Sequence, residues 1–101
     1  MIARIWHGYT TAENADAYES LLLHEIFEGI GGRKIEGFKD INLLRREVNN
    51  EVEFITIMWF ETLDAVKKFA GERYTEAVVP EKARALLSRF DDESQHYEIV
   101  R

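Results

Sequence analysis

The sequence has no cysteine, a single proline and no long apolar run. The lack of cysteine excludes a disulfide framework, a thiolate metal site and a cysteine nucleophile, and it fits a cytoplasmic protein. The longest apolar stretch, from Ile55 to Phe60, is far too short to cross a bilayer, and the amino terminus shows no signal-peptide pattern. We therefore expect a cytoplasmic protein without a membrane partner.

Basic charge is scarce as well. The chain carries 13 Lys and Arg against 19 Asp and Glu, a formal net charge of −6. Nucleic-acid binders normally show a basic stripe, because phosphate contacts dominate their affinity. Basic residues stand together at Arg33-Lys34, Arg45-Arg46 and Lys67-Lys68, each time with acidic residues close by. We expect no nucleic-acid partner.

The 101 residues, of which 46% are hydrophobic, suit one domain spanning residues 1–101. Alternating apolar residues predict four strands, at Ile2–Tyr9, Phe38–Val48, Val52–Phe60 and Ser94–Val100. In the first strand, one face carries Arg4 and Trp6 and the other carries Ile5 and His7. Residues Asn49-Asn50-Glu51 predict a tight turn between the second and third strands.

Helical spacing of apolar residues predicts the remaining elements. A capping box at Thr10-Thr11-Ala12-Glu13 starts a first helix, which should run to about Glu28 and end at the glycines 29–32. Thr62 should cap a second helix. A further helical turn is expected at 73–79, and a short helix from Pro80 through Phe90. The order β-α-β-β-α-β predicts an α+β, ferredoxin-like fold with an antiparallel four-stranded sheet.

The third strand is apolar on both of its faces, and such a strand is normally buried on both sides. The right-handed crossover rule puts both helices on one face of the sheet, which leaves the other face open. We predict that a second copy of the chain covers this face, because a self-complementary two-fold contact is the commonest way to bury an apolar patch. The alternative is that the segment from Arg73 to Phe90 folds back over it.

No strong catalytic motif is present, so single residues carry the functional predictions. His7 shares a face with Ala3 and Ile5. If that face meets the helices, His7 lies in a cavity as an acid, a base or a donor; a core histidine bonded to a backbone carbonyl is the alternative. His7 and His96 lie on neighbouring terminal strands, but two histidines are too few for an ordinary metal site. His24 is expected on the polar flank of the first helix.

Four further residues are candidates for substrate binding. Arg73 and Tyr74 follow the second helix, where a lid over the cavity would lie, although surface packing is their alternative role. Phe69 belongs to the apolar stripe of the second helix. Trp59 is an aromatic candidate on the third strand, where sheet core or interface is the alternative.

Four segments together resemble the antibiotic-biosynthesis-monooxygenase-like superfamily of dimeric α/β barrels. They are MIARIWHG at the amino terminus, ITIMWFETLDAVKKFAG from the third strand onward, Val78-Val79-Pro80, and the terminal HYEIV. The resemblance spans almost the whole chain and implies a homodimer with one pocket per protomer between sheet and helices. Some members oxidise aromatic polyketides and use the substrate's own electrons to activate oxygen. Others oxidise quinols or degrade haem.

The haem-degrading branch builds its site from an asparagine, a tryptophan and a histidine. The matching positions here hold His7, Phe69 and Val78 or Val79, so haem degradation is not expected. Tyr74 and Arg73 are the loose analogues of polar groups in the polyketide branch. The resemblance thus implies a monooxygenase that needs no cofactor or metal and acts on a small aromatic molecule, a quinol or polyketide. In such an enzyme we expect His7 to be the catalytic residue that takes or holds a phenolic proton, and Tyr74 and Arg73 to orient the molecule. The alternative is a non-enzymatic dimeric module that binds a small ligand or assembles.

Overall fold

Strand β1 (Ile2–Thr11) lies inside the sheet of the computed structural model, which describes residues 1–101. It pairs antiparallel with β3 (Glu51–Phe60), and β3 pairs antiparallel with β2 (Phe38–Val48). The turn between β2 and β3 places Asn49 at φ 58°, a left-handed conformation that asparagine tolerates better than most residues. The predicted turn and hairpin are confirmed.

Two short strands occupy the other edge of β1. Strands β4 (Arg89–Phe90) and β5 (Gln95–Glu98) both pair antiparallel with β1 and together take the place of the fourth strand. The order β2-β3-β1-β4, with β5 also beside β1, is that of the predicted ferredoxin-like α+β fold. The predicted continuous strand from Ser94 to Val100 is wrong in its bounds.

The first helical segment is longer than predicted. It comprises α1 (Ala12–Leu21), a π-helical turn (Leu22–Ile26) and α2 (Phe27–Gly32), so it continues through the glycines that were expected to end it. Glycine costs an α-helix only about 1 kcal/mol, and Ile30 packs against the core beyond that point. The cap is Thr11, whose hydroxyl accepts from the Asn14 amide at 3.2 Å, and not the predicted Thr10.

The segment after the second crossover helix differs most from prediction. Thr62 caps α3 (Leu63–Ala70) as expected, but residues 73–79 form no helical turn. The Glu76 amide closes a single turn by donating to the Arg73 carbonyl at 3.0 Å, and the backbone then pairs with the stretch before β5: Ala77 donates to the Asp92 carbonyl, and the Thr75 carbonyl accepts from Ser94. Helix α4 (Glu81–Leu86) ends before Phe90. Phe90 belongs to β4 and pairs with Gly8 of β1.

The helices cover one face of the sheet only. Phe54 and Met58 of β3 are buried beneath them, together with Tyr18 of α1 and Ala83 of α4. Because Ala83 belongs to this core, the segment from Arg73 to Phe90 packs on the helix side, and its predicted alternative placement over the open face is wrong. The opposite face carries these partly exposed or exposed apolar side chains: Ile5, Leu44, Ile55, Ile57, Trp59 and Tyr97.

Candidate functional site

A cavity of about 70 Å³ lies between the sheet and the helices. Twelve of its sixteen lining residues are hydrophobic, as is usual for small-molecule sites. The sheet contributes its floor, α1 to α3 contribute side walls, and the segment before α4 closes one end. Its lining residues are Arg4, Trp6, Tyr18, Leu22, Ile26, Phe27, Ile30, Ile41, Thr56, Met58, Phe69, Val78, Val79, Pro80, Ala83 and Ser94.

The π-helical turn contributes directly to this wall. Both Leu22 and Ile26, its first and last residues, line the cavity. A π-helical turn carries one extra residue and re-aims the side chains that follow it, and such turns are frequent at functional sites. This local irregularity is therefore consistent with a binding site.

Arg4 is the only charged residue in the cavity lining. It is only 4% exposed, and burial lowers its pKa to about 10, so it remains a cation at neutral pH. Nη1 donates to the Tyr74 carbonyl, and Nη2 donates to the Glu76 carbonyl at 3.2 Å. The guanidinium also lies 5.5 Å from the centre of the Phe69 ring. Arg4 thus ties β1 to the segment that closes the cavity.

His96 is the third hydrogen-bond partner of Arg4, with its Nε2 2.9 Å from Nη1. Burial and the nearby Arg4 charge lower the pKa of His96. Because a guanidinium can only donate, Nε2 must accept, and the imidazole is neutral. None of the three partners therefore brings a negative charge to Arg4.

Hydroxyl groups supply the other polar chemistry of the cavity. They belong to Tyr18, Thr56 and Ser94. Burial raises the pKa of Tyr18, which is 1% exposed, so its phenol stays neutral. Its ring is fixed edge-on against Phe54, with 4.8 Å between the ring centres. Such groups donate or accept hydrogen bonds but do not take up a proton at neutral pH.

Of the residues predicted to bind substrate, Phe69 is the one that lines the cavity. Tyr74 is half-buried next to it: its ring stands 5.3 Å from that of His96, and its carbonyl receives the Arg4 hydrogen bond. Arg73 is exposed and forms an ion pair with Glu76 at 2.7 Å. The structure thus brings Phe69 and Tyr74 to the site and leaves Arg73 on the surface.

His7 lies on the face of the sheet opposite to the helices. Cross-strand pairing puts it opposite Ile55, whereas Trp6 and Arg4 stand opposite Thr56 and Met58 on the cavity side. The condition for His7 to lie in the cavity is therefore not met: Arg4 and Trp6 line the cavity beneath the helices, and strand alternation puts His7 on the other face. His7 Nδ1 lies 2.9 Å from an Asp91 carboxylate oxygen.

Trp59, His96 and His24 also lie outside the cavity. Trp59 shares the open face with His7, and its indole donates to the Asn42 side-chain oxygen at 2.7 Å. His96 faces the helices, so it stands across the sheet from His7, and the two cannot hold one metal ion together. His24 is exposed on the first helical segment, as predicted.

A solved structure shares this architecture. It is that of a Bacillus cereus protein provisionally assigned as an antibiotic biosynthesis monooxygenase, with a TM-score of 0.70 and 17% identity over 100% of this chain and 93% of that chain. This chain has the same fold. At that identity the likeness concerns the fold alone. No protein-family model matches the sequence, and the comparison with curated proteins gives no match.

The sequence-based predictions missed Arg4, Trp6 and Tyr18 as cavity residues. The available signal was an arginine placed between Ile2 and Trp6 on one face of a central strand. Once that face is assigned to the core, a buried charge follows directly.

No helix is both long enough and apolar enough to cross a membrane.

Proposed function

We propose that the protein binds a small aromatic molecule in the cavity between sheet and helices and oxidises it with molecular oxygen. The observation that carries this proposal is the cavity itself, which combines apolar and aromatic walls with a few polar groups. Trp6 and Phe69 give it flat surfaces on which a ring can pack. The fold shared with the Bacillus cereus protein supports the choice of chemistry.

The reaction we propose draws all its electrons from the substrate. A phenol and O2 give a quinone and water: one oxygen atom replaces a ring hydrogen, the other becomes water, and the four electrons that O2 accepts come from the phenol. The phenolate is the reactive form, because loss of the proton raises the electron density of the ring. The chain contributes by orienting the ring and excluding bulk water.

The size of the cavity limits the substrate. At about 70 Å³ it is small beside the roughly 300–1,000 Å³ of typical ligand pockets. A single-ring phenol or quinol is therefore the substrate that fits with least rearrangement. A polycyclic polyketide requires movement of residues 71–80, of which Val78 and Val79 form part of the wall.

A second candidate function is ligand binding without turnover. The observation that favours it is the absence of His, Asp and Glu from the cavity lining. A phenol bound there meets no conventional general base, so it has to bind as the phenolate or lose its proton to solvent.

Oxygen consumption with a panel of single-ring phenols and quinols separates the two functions. The monooxygenase function predicts one O2 consumed per quinone formed from a phenol, and the binding function predicts no O2 consumption. Ala83→Met fills the cavity from the buried side of α4, whereas Ala85→Met adds the same atoms to an exposed position of that helix. If both variants lose turnover, or if neither does, the cavity is not the site of the reaction.

His7→Ala tests the catalytic role predicted for that histidine. Its position on the open face predicts unchanged turnover, since the side chain lies across the sheet from the bound ring. Loss of turnover with intact folding and unchanged association would restore the predicted role.

We further propose that the protein works as a homodimer joined through the open face. Ile5, Ile57 and Trp59 form a continuous apolar surface there, and surfaces of this kind mark association sites. A two-fold contact between identical faces buries both at once. The dimer would leave the two cavities independent, one per protomer, on the outer sides of the paired sheets.

A further inference from the structure

The charge of Arg4 has no counter-charge within the protein. The side chain is 4% exposed, and its hydrogen bonds go to two backbone carbonyls and a neutral imidazole. None of the chain's ion pairs includes it. Buried charges in proteins are as a rule paired with an opposite charge, because removal from water penalises the ion strongly. Something outside the chain is the natural partner.

The geometry of Arg4 leaves room for such a partner. The three hydrogen bonds use Nη1 twice and Nη2 once, so of the five N–H groups of a guanidinium, the Nε group and one Nη2 hydrogen stay free. Arg4 lines the cavity, and no acidic residue lines it. An anion that enters therefore meets free donors on a cation and no repelling carboxylate in the lining.

We propose that the cavity selects aromatic anions, a phenolate or a carboxylate on a single ring, and that Arg4 is the counter-charge that holds the anionic oxygen. This rests on the proposed function in so far as the cavity has to admit an aromatic ring. It goes further by naming the ionised form as the ligand. It also explains how a phenol can ionise although no general base lines the cavity: Arg4 stabilises the phenolate, and the proton leaves to solvent.

A purely structural role is the competing explanation. Arg4 could serve only to fasten the Tyr74 and Glu76 carbonyls to β1. A structural arginine predicts no preference for charge in the ligand, whereas a counter-charge predicts a large one. The two roles therefore differ in ligand titrations even where they agree in their effect on folding.

The direct probe is 4-nitrophenol, whose phenolate is coloured and whose neutral form is not. Titrating it against pH, free and in the presence of excess wild-type protein, gives the pKa of the bound probe. A counter-charge at contact distance lowers that pKa by about one unit or more, a tenfold or greater preference for the phenolate. Binding with an unchanged or raised pKa would overturn the role of Arg4 and leave the cavity as an aromatic site. No binding of any ring would overturn both proposals.

Calorimetry with benzoate and benzamide gives an independent measurement on the wild-type protein. The two probes have nearly the same shape and differ in charge, so we expect benzoate to bind at least tenfold more tightly. Equal affinities would contradict the proposal, whether or not any Arg4 variant folds.

Variants assign the preference to Arg4. Arg4→Met should bind benzoate and benzamide alike and leave the pKa of bound 4-nitrophenol unlowered, and Arg4→Lys should retain part of the preference. The control is Arg33→Met, because Arg33 is exposed yet stands 5.3 Å from the same Phe69 ring. A charge preference that survives in folded Arg4→Met, or that Arg33→Met abolishes, would refute the assignment.

Discussion

Shortening Leu22 to alanine enlarges the cavity from its helix side. Leu22 is 4% exposed, opens the π-helical turn and packs against the core around Tyr18 and Phe54. Leu23, the next residue along, is 42% exposed. The substitutions Leu22→Ala and Leu23→Ala therefore remove the same atoms from the same turn, once beside the cavity and once in solvent.

The expected magnitude follows from the surroundings of Leu22. Truncation of a buried leucine costs about 2.7–5 kcal/mol, with the larger values where a larger void remains. One side of Leu22 already borders empty space, so fewer contacts are lost than in a tightly packed core. We expect Leu22→Ala to lower the free energy of unfolding by about 2–3.5 kcal/mol, and Leu23→Ala to change it by about 0.5 kcal/mol or less.

Urea unfolding followed by circular dichroism measures both variants. In Leu22→Ala, saturating toluene should recover part of the lost stability, because a ligand that binds only the folded state stabilises it by mass action. Toluene has no charge, so this test concerns the apolar walls alone. Equal costs for the two variants, or no stabilisation of Leu22→Ala by toluene, would refute the assignment of Leu22 to the cavity wall.

Three further predictions concern other parts of the molecule. Gly37 has φ 86°, and a Cβ there would lie 2.6 Å from a neighbouring alanine Cβ, so Gly37→Ala should lower stability by at least about 2 kcal/mol. Its control, Gly29→Ala in α2, meets no atom within 4 Å and should raise stability by about 0.5–1 kcal/mol in thermal unfolding. Ile57→Glu should leave a folded monomer in sedimentation, and an unchanged dimer would exclude the open face as the interface. The hydrogen bond from Arg46 lowers the pKa of Glu53 in the folded protein. The ionised Glu53 therefore stabilises the fold fully above the pKa that a carboxyl group has in the unfolded chain, and this stabilisation is lost as the pH falls through the lowered pKa of the folded state. The stability difference between wild type and Glu53→Gln should therefore shrink on acidification, and a constant difference would contradict this.

The strands were predictable because alternation is a local property of the sequence. Strand β2 has the predicted bounds, and the division of the β3 residues between two faces follows from strand alternation. The stretch from Arg73 to Val79 was not predictable, because its backbone bonds to residues 92–94, a pairing that only the folded chain reveals. Local helix propensity gave way there to a tertiary contact.

The candidate site was likewise predictable only in part from the sequence. The alternation in β1 correctly grouped His7 with Ala3 and Ile5, but it could not say which of the two groups meets the helices. That choice depends on the crossover geometry and on the packing of Tyr18 and Ala83 against β3. The choice of face decided whether a histidine or an arginine became the polar group of the cavity.

The two tryptophans provide the most direct test of the account. Trp6 lines the cavity and Trp59 lies on the open face, so their indole N–H signals in a nitrogen-15 correlation spectrum report the two sides of the sheet separately. Titration with benzoate should shift the Trp6 signal and leave that of Trp59 in place. A shift confined to Trp59, or no shift of either signal up to millimolar benzoate, would contradict the cavity as the binding site.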